Sequence, residues 1–308
     1  MRIAILIPCF NEASTVGRVI DEFRNQLPDA RIYVFDNNSS DDTYAVAQAH
    51  GAIVKREPNQ GKGRVVRAMF RAIDADVYVL VDGDDTYPAD QVHRLIQPVI
   101  QGEADMIVGD RLSGGSYALV SPRAFHSLGN EIVRRLINTL FQTSRGDIMS
   151  GYRSLSRAFV KNVTILSSGF ELETELTLQA LEKRFTVAEI PVSYRQRPPG
   201  STSKLSTFKD GFRVIRTILW VFKDYRPLPF FAILSLFLLL SGLAVGFPVV
   251  TEYLRTGFIS RVPSAILATG LILLSGISAT SGIILDTIVK HNREIYELIV
   301  NRYFQEEN

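Results

Sequence analysis

Short apolar runs and helical stretches alternate along the first half of the chain. "RIAILIP" is apolar and rich in β-branched residues, and the polar "PCFNE" follows at once, so it predicts a buried strand. "ARIYVFD", "ADVYVLVD" and "ADMIVGD" repeat the pattern and predict three more. Between them apolar positions recur at helical spacing over 13–26, 41–50, 61–73 and 88–100. Strand–helix alternation of this kind implies an α/β fold, a mainly parallel sheet covered by helices on both faces. No internal repeat and no low-complexity segment accompanies it.

The pattern changes near residue 226. Residues 228–250 and 262–285 carry no charged side chain, and each run exceeds the ~20 residues that cross a bilayer core. They predict a transmembrane hairpin, against the alternative of a helical hairpin buried in a soluble core. Lys209, Arg213, Arg216, Lys223 and Arg226 precede the first run; Lys290, His291 and Arg293 follow the second; the loop between holds only Arg255 and Arg261. The positive-inside rule then puts both termini and the N-terminal domain in the cytoplasm, with the hairpin in the inner (plasma) membrane. Over 204–227 basic residues flank Phe208, Phe212, Ile215, Ile218, Leu219 and Phe222 at helical spacing, which suits an amphipathic helix in the headgroup layer or one packed on the domain. The expected organisation is an α/β domain over 1–203, this juxtamembrane helix, the hairpin over 228–285, and a C-terminal helix over 286–308 suited to a homo-oligomer contact.

Composition narrows the field. A net charge of +2 on 308 residues does not mark a nucleic-acid binder. One cysteine, Cys9, excludes an intramolecular disulfide and suits a reducing compartment. The strand-like start predicts no cleavable signal peptide.

The candidate chemistry sits where predicted strands end. "PCFNE", "DNNSSDDT" and "DGDDTYP" close the first three, and in such sheets ligands bind beyond the carboxyl ends of the strands. In "LVDGDDTYP", Asp82, Asp84 and Asp85 crowd three carboxylates into four positions, and like charges so close need a cation or another partner. Gly83 permits a tight bend that lets Asp82 and Asp84 converge on one ion. Hard carboxylates without a nearby His or Cys suit Mg²⁺ or Mn²⁺, with a diphosphate completing the shell; a solvated acidic turn is the alternative. Asp36 ends the second strand and is kept for a base or ribose hydroxyl, with the helix cap assigned to Ser40 or Asp41. "NQGKG" opens a helix and would present backbone N–H groups and Lys62 to an anion. It is neither a P-loop nor a dinucleotide fingerprint. Glu171, Glu173 and Glu175 alternate in "FELETEL"; on a helix Glu171 and Glu175 share a face that Glu173 leaves, and they read as solvated surface or as an acceptor-side group.

Taken in order, "IPCFNE", "FDNNSSDDT", "NQGKG", "VDGDDTYP", "GDR", "GDIMSGYR" and "GFELETEL" resemble the family 2 glycosyltransferases, and most closely their polyprenyl-phosphate group, which includes dolichyl-phosphate mannose synthase and bacterial undecaprenyl-phosphate glucosyltransferases. The resemblance implies a GT-A fold and inverting transfer of one hexose from a nucleotide-sugar to a polyprenyl phosphate. UDP-glucose is the first donor expected, and GDP-mannose with a dolichyl or polyprenyl acceptor is the alternative. It also implies roles. Pro8, Asn11, Glu12 and Asp36 would hold the nucleotide, and Asp82 and Asp84 the metal, with Asp84 the more direct ligand. Asp147 would stand near the acceptor, as catalytic or positioning acid. Arg111, Arg123 and Ser127 would contact the lipid phosphate, and Arg195 and Arg197, with Lys204 beyond them, the diphosphate or lipid phosphate. The one tryptophan, Trp220, lies outside the Gln-x-x-Arg-Trp context of processive synthases, which argues against a polymer-making enzyme. A catalytically silent nucleotide-sugar module and a transferase acting on another lipid are the rival readings.

Overall fold

A computed structural model describes residues 1–113, 134–135, 137–139, 146–167, 169, 171–198, 216 and 219–306. The chain forms two compact units, Met1–Val214 and Ile215–Asn308.

The first unit is built on a seven-stranded sheet in the order β3-β2-β1-β4-β6-β5-β7. Its strands are β1 (Ile3–Cys9), β2 (Arg31–Asp36), β3 (Ile53–Arg56), β4 (Val77–Leu80), β5 (Met106–Asp110), β6 (Arg153–Ser156) and β7 (Val187–Pro191). All neighbours pair in parallel except β6, which runs against both β4 and β5. The four strands expected from sequence form the backbone of this sheet. β3, β6 and β7 are additional; β3 (IVKR) and β6 (RSLS) lack the unbroken apolar run that marks the equally short β4 (VYVL).

Helices α1 (Val16–Gln26), α2 (Thr43–Ala49), α3 (Lys62–Ala72), α4 (Val92–Ile100), α5 (Arg157–Asn162) and α6 (Leu172–Glu182) cover the sheet. β1 shows why both faces are needed. Ile5, Ile7 and Cys9 enter one core with α1 and α4, while Ala4 and Leu6 enter the other with α3, α5 and α6. Alternation along one apolar strand therefore feeds two cores, as burial on both faces requires. α2 starts one residue later than its expected cap: Asp42 stands at the cap position, while Asp41 Oδ1 accepts from the Thr43 amide at 3.1 Å.

The chain winds from β1 outward through β2 to β3, then returns to lay β4 on the other side of β1. The carboxyl ends of β1 and β4 therefore flank the point where the winding reverses, the place where a crevice opens in such sheets.

The second unit contains α7 (Pro227–Thr256) and α8 (Val262–Glu306). Both are long and apolar enough to cross a membrane. Pro227 starts α7 at a position that needs no amide donor, and Gly257, at φ 66°, ends it in the left-handed conformation. The two helices pack through small and hydroxyl residues: Ser235 Oγ lies 3.1 Å from Ser275 Oγ, and Ser278 Oγ donates to the Phe231 carbonyl at 3.2 Å. Phe237, Leu240, Phe247, Leu254 and Ile266 are exposed, an apolar surface that water would not favour. The C-terminal segment expected as a separate helix continues α8, because no glycine or proline interrupts 286–306.

Candidate active site

A cleft of about 380 Å³ opens at the winding reversal. Pro8, Cys9 and Glu12 line it from the end of β1, Asp82, Gly83 and Asp84 from the end of β4, Lys62 from the start of α3, and Arg197 from the segment after β7.

The three carboxylates of "DGDD" do not share one fate. Asp82 and Asp84 face the cleft, whereas Asp85, at φ 58°, turns to Arg18 of α1 and to Arg195. Asp82 and Asp84 each hold a different cation. Lys62 Nζ lies 2.5 Å from Asp82 Oδ1, and Arg197 Nη2 lies 2.5 Å from Asp84 Oδ2. Thr86 Oγ1 donates to the other Asp84 oxygen at 2.6 Å. Burial, and then the charge of Asp82, push the Asp84 carboxyl above its ordinary pKa against the pull of Arg197. Burial pushes Asp82 up as well, but Lys62 outweighs it and leaves Asp82 below the ordinary value. The two acids therefore sense each other across one cleft. Small glycines make room: a Cβ on Gly151 would stand 2.5 Å from Asp82 Oδ2, and one on Gly83 2.6 Å from Cys9 Sγ.

Lys62 has a second acid. Glu173, in the first turn of α6, places Oε1 2.5 Å from the same ammonium. Burial pulls the Lys62 pKa down, yet Asp82 and Glu173 together raise it above the ordinary lysine value, so it stays charged.

The donor set fits a divalent cation. Two hard carboxylates share the cleft, and each now leans on a side-chain cation. Among the described residues no group of three His, Cys, Asp or Glu side chains converges on a metal-sized space. The remaining ligands would then come from a diphosphate and water, the habit of Mg²⁺ and Mn²⁺.

Beside the cleft, Arg111 and Asp147 form a fork. Arg111 Nε and Nη2 donate to Asp147 Oδ2 and Oδ1 at 2.7 and 3.0 Å, and the amides of Arg111 and Met149 add bonds of 3.1 and 3.2 Å. The Arg111 guanidinium also lies over the Tyr194 ring, 5.6 Å from its centre.

Other expected residues support the cleft from behind. Asn11, at φ 53°, donates its backbone amide to Ser39 Oγ at 2.9 Å and accepts the Ser40 amide on Oδ1 at 2.8 Å, tying the ends of β1 and β2. Asp36 is buried, with the Ser39 amide at 3.4 Å and Arg56 at 3.8 Å. Arg195 meets Glu22 at 2.9 Å on the α1 side, so the cleft wall carries Arg197 and not Arg195. Arg123, Ser127 and Lys204 lie outside the described residues, as does most of the expected juxtamembrane helix.

A family model described as "Glycosyl transferase family 2" matches residues 4–164, more than half of the chain, including Glu12, Asp82 and Asp84 of the cleft and Asp147 beside it. The chain belongs to glycosyl transferase family 2. This family 2 glycosyltransferase is 30% identical over 298 residues to glycosyltransferase AglJ of Haloferax volcanii, covering 95% of each chain. It is 28% identical over 225 residues to a dolichyl-phosphate hexose transferase of the same organism, covering 73% of this chain and 95% of the relative. Among solved structures, glucosyl-3-phosphoglycerate synthase of Mycobacterium tuberculosis, in complex with Mn²⁺ and UDP-glucose, superposes with a TM-score of 0.56 at 21% identity over 72% of this chain and 78% of that one. At that identity the likeness carries the fold, and the expected GT-A-like architecture is what the glycosyltransferase has.

Sequence reasoning left three buried residues around this candidate site without a defined role. Glu173, read as a solvated acid or an acceptor-side group, is buried against Lys62, and Glu175 is buried too, accepting from the Leu166 and Ser167 amides at 2.9 Å each. The available signal was composition: α6 buries residues all round, and charged residues in such a helix need partners. Arg153 closes the stretch "GDIMSGYR". It is fully buried and donates to the carbonyls of Ile148, Ser150 and Glu173 at 2.7, 2.9 and 2.9 Å and to Thr177 Oγ1 at 2.9 Å.

Proposed function

We propose that this chain transfers a single hexose, with inversion, from a nucleotide-sugar to a polyprenyl phosphate at the cytoplasmic face of a membrane that α7 and α8 span. The observation that carries the reading is the cleft itself: Asp82 and Asp84 side by side, each with a basic partner, at the winding reversal of a family 2 sheet. The family supports glycosyl transfer, the name of the dolichyl-phosphate hexose transferase supports the lipid class, and the two apolar helices support the membrane.

Asp82 and Asp84 are the residues that would hold Mg²⁺ or Mn²⁺. A bound ion would supply charge neutralisation on the diphosphate leaving group. Lys62 and Arg197 add positive charge on the same cleft wall, and Pro8, Cys9 and Glu12 shape its floor. The acceptor needs little activation, because a phosphate monoester with a second pKa of about 6 is mostly dianionic near neutrality. Its oxygen attacks the anomeric carbon opposite the diphosphate; that carbon–oxygen bond forms as the bond to the diphosphate breaks, and the electron pair leaves with the nucleoside diphosphate. Arg111 is the candidate for orienting the acceptor phosphate, and Asp147 holds Arg111.

A donor screen tests the proposal. Purified full-length protein in detergent, with undecaprenyl phosphate and Mn²⁺, is given labelled UDP-glucose, GDP-mannose and other nucleotide-sugars. The expected product is one hexose on the lipid phosphate from one donor class, UDP-glucose first. Sugar transfer to diacylglycerol alone, or no transfer from any donor, overturns it.

A further inference from the structure

Lys62 is shared. Its ammonium stands 2.5 Å from Asp82 Oδ1 and 2.5 Å from Glu173 Oε1, and its side chain is only 15% exposed. Two acids on different elements thus divide one buried cation, a net local charge of minus one.

The two acids are not equivalent. Asp82 faces the cleft and belongs to the pair suited to a divalent cation. Glu173 does not line the cleft and is fixed from behind. Its carbonyl accepts from Arg153 Nη2 at 2.9 Å and from Thr177 Oγ1 at 3.0 Å, which anchors the first turn of α6. Lys62 is anchored at its backbone instead: Gly61, just before it, donates to Asn37 Oδ1 at 2.7 Å, and Gly63, just after it, packs against Ser167. Its four-carbon stem is therefore the adjustable part of the cluster.

If Asp82 takes a divalent cation, it can no longer serve Lys62 fully. A buried ammonium left beside that ion with no acid of its own would cost far more than a solvated one. We infer that Glu173 is a positioning residue for the donor site: it retains Lys62 when Asp82 engages a divalent cation, so that lysine and metal do not compete for one carboxylate. This rests on the proposed metal role of Asp82 and Asp84. It goes beyond that role by assigning a third acid, outside the cleft, to metal affinity. The plainer role for Glu173, an acid favouring the N-terminal end of α6, gives no reason for its effect to depend on Lys62.

The test is a double-mutant cycle read by Mn²⁺ binding alone, with no donor and no turnover. Free Mn²⁺ is followed by its electron paramagnetic resonance signal in the full-length wild type, Glu173→Gln, Lys62→Met and the double variant. Glu173→Gln is expected to weaken Mn²⁺ binding about tenfold with Lys62 present, and by less than about threefold in the Lys62→Met background. Lys62→Met alone is expected to tighten it. Thermal unfolding is recorded in parallel, and Lys62→Gln replaces Lys62→Met if the latter does not fold. An equal effect of Glu173→Gln in both backgrounds, or none in either, overturns the inference while leaving the metal reading intact. A wild type that binds no Mn²⁺, with Asp84→Ala indistinguishable from it, overturns both.

Discussion

Arg111 grips Asp147 with two parallel hydrogen bonds, Nε to Oδ2 at 2.7 Å and Nη2 to Oδ1 at 3.0 Å. Both carboxylate oxygens also accept backbone amides, so the guanidinium and the main chain engage this acid from several sides. Arg111→Lys keeps the charge but loses the planar fork, and we expect kcat/KM for the lipid acceptor to fall about tenfold to a hundredfold. Asp147→Asn should lower kcat while leaving the shape of the pH–rate profile between about pH 6 and 8 unchanged, since in the proposed reaction the acceptor phosphate's own second ionisation would govern that range. Loss of an ionisation in the variant would make Asp147 a base.

Gly83 has no room for a side chain, because a Cβ there would stand 2.6 Å from Cys9 Sγ. Gly83→Ala is expected to destabilise the protein by about 1–3 kcal/mol and to disturb the adjacent carboxylates. Cys9→Ala removes the obstructing sulfur. Thermal unfolding and nucleotide binding of the double variant should recover at least half of the loss.

Arg153 is the keystone beneath the site. Its guanidinium satisfies three carbonyls from the Asp147 loop and α6, and burial brings its pKa down to about 10. Arg153→Met would take a donor from each of those carbonyls, leaving Glu173 and Ile148 with Thr177 Oγ1 at 3.0 and 3.5 Å, and a buried carbonyl left unpaired costs about 1–3 kcal/mol. We expect the loss of a large part of the folding stability, measured by denaturant unfolding. Arg153→Lys should restore only a fraction, since an ammonium cannot span the same acceptors.

Acid should loosen the floor of the first unit. Arg157, and then Arg2, hold the Asp74 carboxyl below its ordinary pKa, and Arg2 does the same for Asp76. A depressed carboxyl stabilises the fold fully above its unfolded value of about 3.9, and that contribution is lost as pH falls through the folded value. The window therefore lies below about pH 4. Asp74→Asn should narrow the difference between urea midpoints measured at about pH 6 and pH 3. An unchanged difference would show that these exposed pairs contribute nothing.

The parts of this molecule legible in its sequence were those with a period or a dense local pattern. β1, β2, β4 and β5 announced themselves as apolar runs, α7 and α8 as long uncharged ones, and Asp82 and Asp84 as carboxylates at a strand end. What sequence could not supply was pairing across distance. Lys62 and Glu173 are 111 positions apart, and neither motif hints at the other. Arg195 and Arg197 sit two residues apart and looked alike, yet one side chain turns to Glu22 and the other to Asp84. The antiparallel β6 belongs to the same class: four residues of mixed polarity whose strand character comes from filling the gap between β4 and β5.

The central claim is that Asp82 and Asp84 make this cleft a metal-assisted sugar-transfer site serving a lipid phosphate. Hexose transfer to undecaprenyl phosphate by wild type and Asp84→Ala, with nucleotide-sugar binding measured on the same samples, tests it most directly. The account predicts that wild-type turnover needs Mg²⁺ or Mn²⁺ and stops with a chelator. It also predicts that Asp84→Ala loses about a thousandfold or more in rate while still binding the nucleotide-sugar measurably. Turnover that survives both the chelator and the substitution would contradict it.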